Sequence, residues 1–245
     1  MAFDEWMAAL EARHLADLTF PEVSRALRAL SSTYVERREQ IRHGAALSGA
    51  GKRAAFALFY GPLHFLIVRH IVTSIEGATV VPATLLDLGC GTGAAGAAWA
   101  TASAAPPTVV GVDLNKWALD EAGRTYRDFR LSARTRMNAI EKIDLPKSRV
   151  AFIAAYAINE LAQAERERVI TTLFDRASSG DRVLIVEPLA GFVAPWWKGC
   201  ADRARAAGGR ADEWRFRADL PPIVKKLDRA AGLRHDELTA RSIFL

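Results

Sequence analysis

The stretch Leu85-Leu86-Asp87-Leu88-Gly89-Cys90-Gly91-Thr92-Gly93 sets three glycines at alternate positions, two residues after a carboxylate. Glycines so spaced let a backbone turn tightly and come close to a ligand. The spacing also satisfies the loose dinucleotide pattern G-x-G-x-x-G/A, so the glycines alone do not choose a ligand. Asp87 does choose. At a strand end facing the same crevice, its carboxylate would repel a pyrophosphate and attract a ligand bearing an ammonium and a sulfonium, such as S-adenosylmethionine. Asp113, in Val109-Val110-Gly111-Val112-Asp113-Leu114-Asn115, offers an acceptor for both hydroxyls of a ribose. NAD would want the same acid, so Asp113 does not discriminate. A phosphate-binding loop is excluded in GAALSGAGKR: Ala46 stands at the required upstream glycine, and Arg53 replaces the needed Ser or Thr.

Strands alternating with helices must position these residues. After residue 80 the chain reads as TLLDLG, PTVVGVDL, ARTRMNAI, RVAFIAAY and DRVLIVEP strands, separated by AAGAAWATA, KWALDEAGRTYRDFRL and INELAQAERERVITTLFDRA helices. Apolar strands in this alternation predict an α/β fold with a doubly wound, mostly parallel Rossmann-like sheet covered on both faces. PPIVKKLDRAAGL predicts a further helix and ELTARSIFL a closing strand, which leaves room for little more than one and a half strands at the C-terminal end. Residues 1–78 read as an N-terminal helical lobe and 79–245 as the α/β domain. Thr19 and Glu22 form a helix-start pair around Phe20-Pro21, the helix runs with apolar residues at Val23, Leu27, Leu30, Tyr34 and Ile41, and Gly44 fits its stop.

With these motifs in order, residues 85–188 resemble the core of a class I S-adenosylmethionine-dependent methyltransferase: LLDLGCGTG, VVGVDLN, RMNAIEKIDLP, VAFIAAYAINEL and DRVLIVEP follow one another as in that family. The resemblance implies the family's sheet, with S-adenosyl-L-methionine as cofactor. It places Asp87, Leu88, Gly89, Cys90, Gly91, Thr92 and Gly93 around the methionine part of the cofactor, Asp113 on the ribose and Leu114 near the adenine. Asn138 falls where the family often has an Asp contacting the adenine amino group. Ala155 and Tyr156 would border the reactive end. The chain lacks the [N/D]-P-P-[Y/F] of enzymes that methylate exocyclic base amines, reading AAYAINEL instead.

A narrower likeness is to the small-ribosomal-subunit assembly methyltransferase-like family. It is similar in YVERREQI, FALFYGPLHF, YAINEL, VLIVEP and DEWRF followed by LPPIVKKLDRAAGL. It implies RNA or the small ribosomal subunit as partner. Family members of the iron–sulfur type carry clustered cysteines after the fifth strand; here EPLAGFVAPWWKGCAD holds Cys200 alone, so no metal is expected.

Methyl transfer is an in-line displacement at an activated sulfonium, and holding the reactants in near-attack geometry supplies most of its catalysis. A hydroxyl or protonated nitrogen acceptor adds the need for a base. Tyr156 and Glu160 are the candidate catalytic residues, and Arg53, Tyr60, His64 and Asn159 the candidate acceptor contacts. Asn159 is equally suited to cap the following helix, with Glu160 in its first turn. His64 and His70 lie on an apolar helix and suit packing. Trp196 and Trp197 suit stacking on a planar acceptor or core packing.

The formal net charge of +5 permits an acidic partner. Residues 31–60 concentrate Arg37, Arg38, Arg42, Lys52 and Arg53 against Glu36 and Glu39, a basic helical segment. Phe56, Phe59, Tyr60 and Phe65 line an aromatic run that would close a small pocket equally well. Three readings stay open: an RNA methyltransferase, a small-molecule methyltransferase, and a non-catalytic S-adenosylmethionine-binding assembly factor. The two cysteines, Cys90 and Cys200, form no disulfide framework, and the start carries Asp4, Glu5 and Glu11 rather than a leader, so a cytoplasmic setting is expected. The apolar run 56–72, interrupted by Gly61-Pro62, His64, Arg69 and His70, reads as buried helix and not as a membrane span.

Overall fold

The computed structural model describes residues 3–36, 47–143, 145–190 and 194–245. Helices α1 (Phe3–His14), α2 (Phe20–Glu36) and α3 (Ala50–Ser74) precede the sheet. Strands β1 (Thr84–Leu88), β2 (Thr108–Asp113), β3 (Ala133–Met137), β4 (Ala151–Ala155) and β5 (Arg182–Glu187) alternate with α4 (Ala94–Ala102), α5 (Lys116–Asp128) and α6 (Gln163–Ser178). Then come α7 (Trp197–Ala206), β6 (Arg210–Phe216), α8 (Pro222–Ala230) and β7 (Leu238–Phe244). The sheet order is β3-β2-β1-β4-β5-β7-β6, with β1 to β5 parallel and β7 antiparallel to both β5 and β6. The doubly wound, mostly parallel sheet read from the sequence is the fold observed. Its C-terminal strand pair is complete, because DEWRF supplies β6 upstream of α8 and pairs with β7 along its whole length.

Alternation along the strands sends one set of side chains to each face. Leu85, Val109, Ile153, Leu184 and Ala240 join one hydrophobic cluster; Leu86, Val110, Phe152, Ile185 and Ile243 join the other. The first cluster also takes in Trp6, Leu10, Leu27, Leu30, Phe59 and Phe65, so the lobe and this face of the sheet share one core. Trp6 and Leu10 are fully buried there, each stabilising the contact by roughly 1.5–3 kcal/mol.

The start of α2 is formed as its sequence predicts. The Thr19 amide and hydroxyl both donate to Glu22, at 2.7 and 2.6 Å. The predicted continuation through Arg37, Arg38 and Ile41 to a stop at Gly44 lies outside the described residues.

Gly61-Pro62 does not break α3. Phe56–Tyr60 form a π-helical turn, and the Gly61 amide donates to Phe56 O, five residues back. A proline removes one helical donor and crowds the carbonyl four residues earlier; a π turn placed just before it widens the helix there and lets the helix continue. Helix Ala50–Ser74 is long and apolar enough to cross a bilayer by composition, but 67% of its apolar window is buried inside the protein. It is a core helix.

A glycine-loop crevice closed by an aromatic helix

The turn after β1 is built by backbone conformation. Gly89, Gly91 and Gly93 have φ of 68°, 51° and 76°, a region open to glycine at little cost. Gly89 and Cys90 amides donate to Val112 O at 2.8 and 2.9 Å, tying the loop to the end of β2. A Cβ on Gly89 would collide with Ala157 after β4, so this glycine also sets the approach of two strand ends.

Asp113 stands across the loop. Its Oδ2 accepts from the Gly91 amide at 2.9 Å and its Oδ1 from the Asn115 amide at 2.8 Å. Each carboxylate oxygen has a second lone pair, so the two bonds orient the group and leave acceptors for a ligand. Burial raises its pKa, against the lowering by Asn115, Gly91 and Leu114 amides.

Asp87 is engaged inside the protein, its side chain 1% exposed. Oδ2 accepts from the Gly96 amide in the first turn of α4 and from the Tyr126 hydroxyl, each at 3.0 Å. Burial pushes its carboxyl up to about 7 despite both donors. Through Oδ2, Asp87 fastens α4 and α5 to the end of β1. Cys90, also buried, has its thiol pushed up, first by burial and then by Asp87 and Asp113. Thr92 is buried with its hydroxyl facing Gly61 of α3.

Two large apolar side chains stand open beside Asp113. Leu114 is 67% and Met137 59% exposed, at the ends of adjacent strands where Asp113 and Met137 are in register. They form an apolar edge suited to a flat ring. Asn138 follows, its amide donating to Asp113 O at 3.2 Å and its Nδ2 to Lys142 O at 3.4 Å.

Helix α3 walls the opposite side. Phe56, in its π turn, lies over Gly91. His64 stacks on Tyr156 with ring centroids 4.1 Å apart and planes 16° apart, and Phe56 and Tyr60 sit at 5.8 Å from each other, each 6.2 Å from His64. Tyr156 follows Ala155 at the end of β4 and holds a φ of 60°, strained for a non-glycine residue. Its amide donates to Val186 O at 2.8 Å, and its buried hydroxyl has no hydrogen-bond partner among the described residues. Burial, then the Glu187 charge, keeps Tyr156 protonated, and burial holds His64 neutral, at about 3.

Asn159 and Glu160 do not belong to α6. They lie in a 3₁₀ turn, Ile158–Glu160, and α6 is instead capped by Glu165 accepting from the Ala162 amide at 3.2 Å. The Asn159 amide donates to Glu187 Oε1 at 3.1 Å, and its Oδ1 accepts from Trp196 Nε1 at 3.4 Å. Trp197 is buried in the core. Glu160 is exposed at the end of that turn, with Asp113 near enough to act on its charge. Desolvation first, and the Asp113 charge second, push its carboxyl up to about 8. Arg53 is turned away from the site: its Nε donates to Leu47 O at 3.1 Å and its guanidinium lies over Trp117, 5.7 Å from the ring centre.

The structure thus brings together the glycine loop, Asp113, Leu114, Met137 and Asn138 on one side, and Tyr60, His64, Tyr156 and Glu160 on the other. Sequence reasoning missed Tyr126, Gly96 and Met137. The first two left a trace: a Cβ on Gly96 would collide with the Asp87 carboxylate, and one on Gly111 would lie 2.9 Å from Tyr126 Oη.

Residues 85–180 match the family model of a methyltransferase domain. The chain is an S-adenosylmethionine-dependent methyltransferase. No curated protein matches it in sequence. In structure this methyltransferase is similar to the mitomycin 7-O-methyltransferase MmcR, at 12% identity over 97% of this chain and 71% of that one, with a TM-score of 0.52. It is also similar to the plantazolicin methyltransferase BpumL, at 9% identity over 92% and 96% with a TM-score of 0.49. A third is a TehB-like SAM-dependent methyltransferase from Corynebacterium glutamicum, at 16% over 88% and 97% with a TM-score of 0.45. At 12% identity the likeness to MmcR shows the fold alone.

The crevice fits the cofactor. Left-handed glycines allow a close backbone approach, Asp113 keeps free lone pairs for ribose hydroxyls, and Leu114 and Met137 offer the adenine an apolar edge. The bound cofactor supplies an electrophilic methyl group; the protein's residues hold it and orient the acceptor.

Proposed function

We propose that this methyltransferase acts on a planar, ring-bearing acceptor and that the acceptor is a base of RNA. The aromatic wall carries the reading: Phe56, Tyr60, His64 and Tyr156 line the crevice opposite the glycine loop, and stacking on such a surface tolerates any flat ring. The net charge of +5 supports a polyanionic acceptor. Its basic residues Arg37, Arg38 and Arg42 lie outside the described residues, and Arg53 is engaged with Trp117, so the electrostatic support rests on the chain as a whole.

In this reading Glu160 is the base. Its raised carboxyl takes a proton near neutral pH, as removal of a proton from a ring nitrogen or hydroxyl demands. Tyr156 and His64, both neutral, orient the ring. Asn159, tied to Glu187 and Trp196, holds the turn that presents Glu160.

A second reading is a free small aromatic acceptor, favoured by α3, which lies directly over the glycine loop and narrows access. Methyl-labelled S-adenosylmethionine incubated with the protein and a lysate of its source, then fractionated, decides between them. Label in RNA is the expected outcome. Label in the small-molecule fraction moves the acceptor to the second reading, and no label with cofactor bound points to a non-catalytic assembly factor.

A further inference from the structure

The positive charge of the chain is unevenly placed. Residues 130–149 hold Arg130, Arg134, Arg136, Lys142, Lys147 and Arg149 against Glu141 and Asp144, a net charge of +4 where the whole chain carries +5. Asp144 lies outside the described residues. All six cations are exposed, and none takes part in an ion pair or side-chain hydrogen bond with a described residue. Elsewhere the fold pairs its arginines: Arg13 and Arg124 with Glu121, Arg176 with Asp181, Arg210 with Asp212.

The fold gathers these cations along one flank. Arg134 and Arg136 lie on β3, the edge of the sheet, and point to the same face because they stand two residues apart, about 6.6 Å along the strand. They line a cavity of about 290 Å³ with Thr84, Leu86, Val110, Leu145 and Pro146, none of which is acidic. The counter-charge for these two guanidinium groups must therefore come from outside the described residues. Lys147 directly follows Pro146 on the segment that leads to β4, with Arg149 two residues on. Arg176 holds that stretch by donating to Pro146 O at 2.7 Å and Ser148 O at 3.2 Å. At the other end Lys142 closes the 3₁₀ turn Ile140–Lys142, and its carbonyl accepts from Asn138 Nδ2 at 3.4 Å. The Asn138 amide donates to Asp113 O, so the row of cations ends at the rim of the cofactor crevice. Arginines on an edge strand discourage pairing with a second copy. That role concerns β3 alone and does not account for Lys142, Lys147 and Arg149, which lie off the strand.

We infer that this flank binds the phosphodiester backbone of single-stranded RNA and leads the strand to the crevice. The inference rests on the reading of an RNA base as acceptor and adds the surface that holds the rest of the strand. Phosphates meet Arg134, Arg136 and Lys142, and a neighbouring nucleotide reaches the crevice past Asn138. Guanidinium groups bind phosphates through paired donors, and contacts of this kind fix register without reading sequence. An acidic protein segment would satisfy the charge alone; a row of cations that ends at the crevice fits a polyanion whose own base is the acceptor.

The test uses the full-length protein with S-adenosylhomocysteine and a fluorescein-labelled uridine dodecamer, followed by anisotropy at several salt concentrations. R134Q/R136Q should weaken binding at least about five-fold. It should also lower the steepness of log affinity against log salt by about 1.4, as the loss of two single-strand phosphate contacts requires. K226Q/R229Q, which removes the same charge from α8, should stay within about two-fold of the unaltered protein. Unchanged S-adenosylhomocysteine affinity in both variants shows that the fold is intact. Equal losses in the two variants, an unchanged salt slope in R134Q/R136Q, or displacement of the RNA by a glutamate peptide of equal charge as readily as by unlabelled RNA would each overturn the inference. Transfer of labelled methyl groups separates it from the reading it rests on. RNA that is labelled while R134Q/R136Q binds it as tightly as the unaltered protein keeps the acceptor and refutes the flank. RNA bound at the flank, with label only in small molecules, refutes the acceptor and keeps the flank as an RNA-binding surface.

Discussion

The Tyr126 hydroxyl donates to Asp87 Oδ2 over 3.0 Å beneath the glycine loop, joining α5 to β1 across 39 residues of sequence. The same oxygen receives the Gly96 amide, so one buried carboxylate fixes both helices that frame the cofactor crevice. Tyr126→Phe removes one donor and leaves the buried carboxyl with less compensation. A loss of about 1–3 kcal/mol in urea denaturation is expected. Burial raises the Asp87 carboxyl from 3.8 to about 7, so the folded state holds a proton that the unfolded state releases. Its contribution is complete below about pH 4 and is lost as pH rises through 7. Asp87→Asn keeps an acceptor for both donors and should flatten this part of the stability profile. An unchanged slope between pH 4 and 7 in that variant would exclude Asp87 as its source.

Asp113 is oriented by Gly91 and Asn115 amides before any ligand arrives. Asp113→Ala should weaken S-adenosylmethionine binding by about 1–3 kcal/mol in calorimetry, through lost hydrogen bonds to the ribose and loss of the loop's anchor. Unchanged affinity would show that the end of β2 does not hold the ribose.

Gly96 is needed for space. A Cβ there meets the Asp87 carboxylate, and the Gly96 backbone is not in the left-handed region, so conformation is not the obstacle. Gly96→Ala should therefore lower the melting temperature and cofactor affinity together, and the Gly96→Ala/Asp87→Ala pair should be less damaging than the sum of its parts. Simple additivity in a double-mutant cycle would refute this steric account.

α1 is held to α5 by charge as well as by Trp6. Arg13 reaches Glu121 at 2.8 Å and Asp128 at 3.0 Å, and Arg124 reaches the other oxygen of Glu121 at 3.0 Å. Burial would raise the fully buried Glu121 carboxyl, but His14 and Arg13 outweigh it and hold it at about 2. A depressed carboxyl stabilises the fold above its unfolded value of 4.5, and that stability is lost as pH falls toward 2. Acid unfolding followed by circular dichroism should show this limb, and Glu121→Gln should shrink it. An identical acid limb in the variant would place its origin elsewhere.

Much of this architecture is written locally. The Thr19–Glu22 cap, the buried strands and the three alternating glycines depend on neighbours in sequence, and period and spacing reveal them. What escaped depends on tertiary contacts. Asp87 sits at the strand end the motif predicts, yet its hydrogen-bond partner Tyr126 lies 39 residues away. Gly61-Pro62 reads as a break because local rules count a proline as a helix stop, and only the preceding π turn lets α3 cross the glycine loop intact. β6 went unread as a strand because DEWRF carries charge on one side, which is how an edge strand looks.

Glu160 is the proposed base. Its carboxyl is raised toward 8 near Asp113, so the fraction able to accept a proton grows as pH rises through that value. If it is the base, the transfer rate at saturating cofactor should climb between about pH 7 and 9 and then level. Glu160→Gln preserves size and polarity but cannot take the proton. It should lower the rate by about 10²–10⁴-fold and abolish the climb, while S-adenosylhomocysteine affinity measured by calorimetry stays within about two-fold. A variant that is slow yet keeps the same pH profile would make Glu160 a positioning residue, and the proton would then leave through solvent.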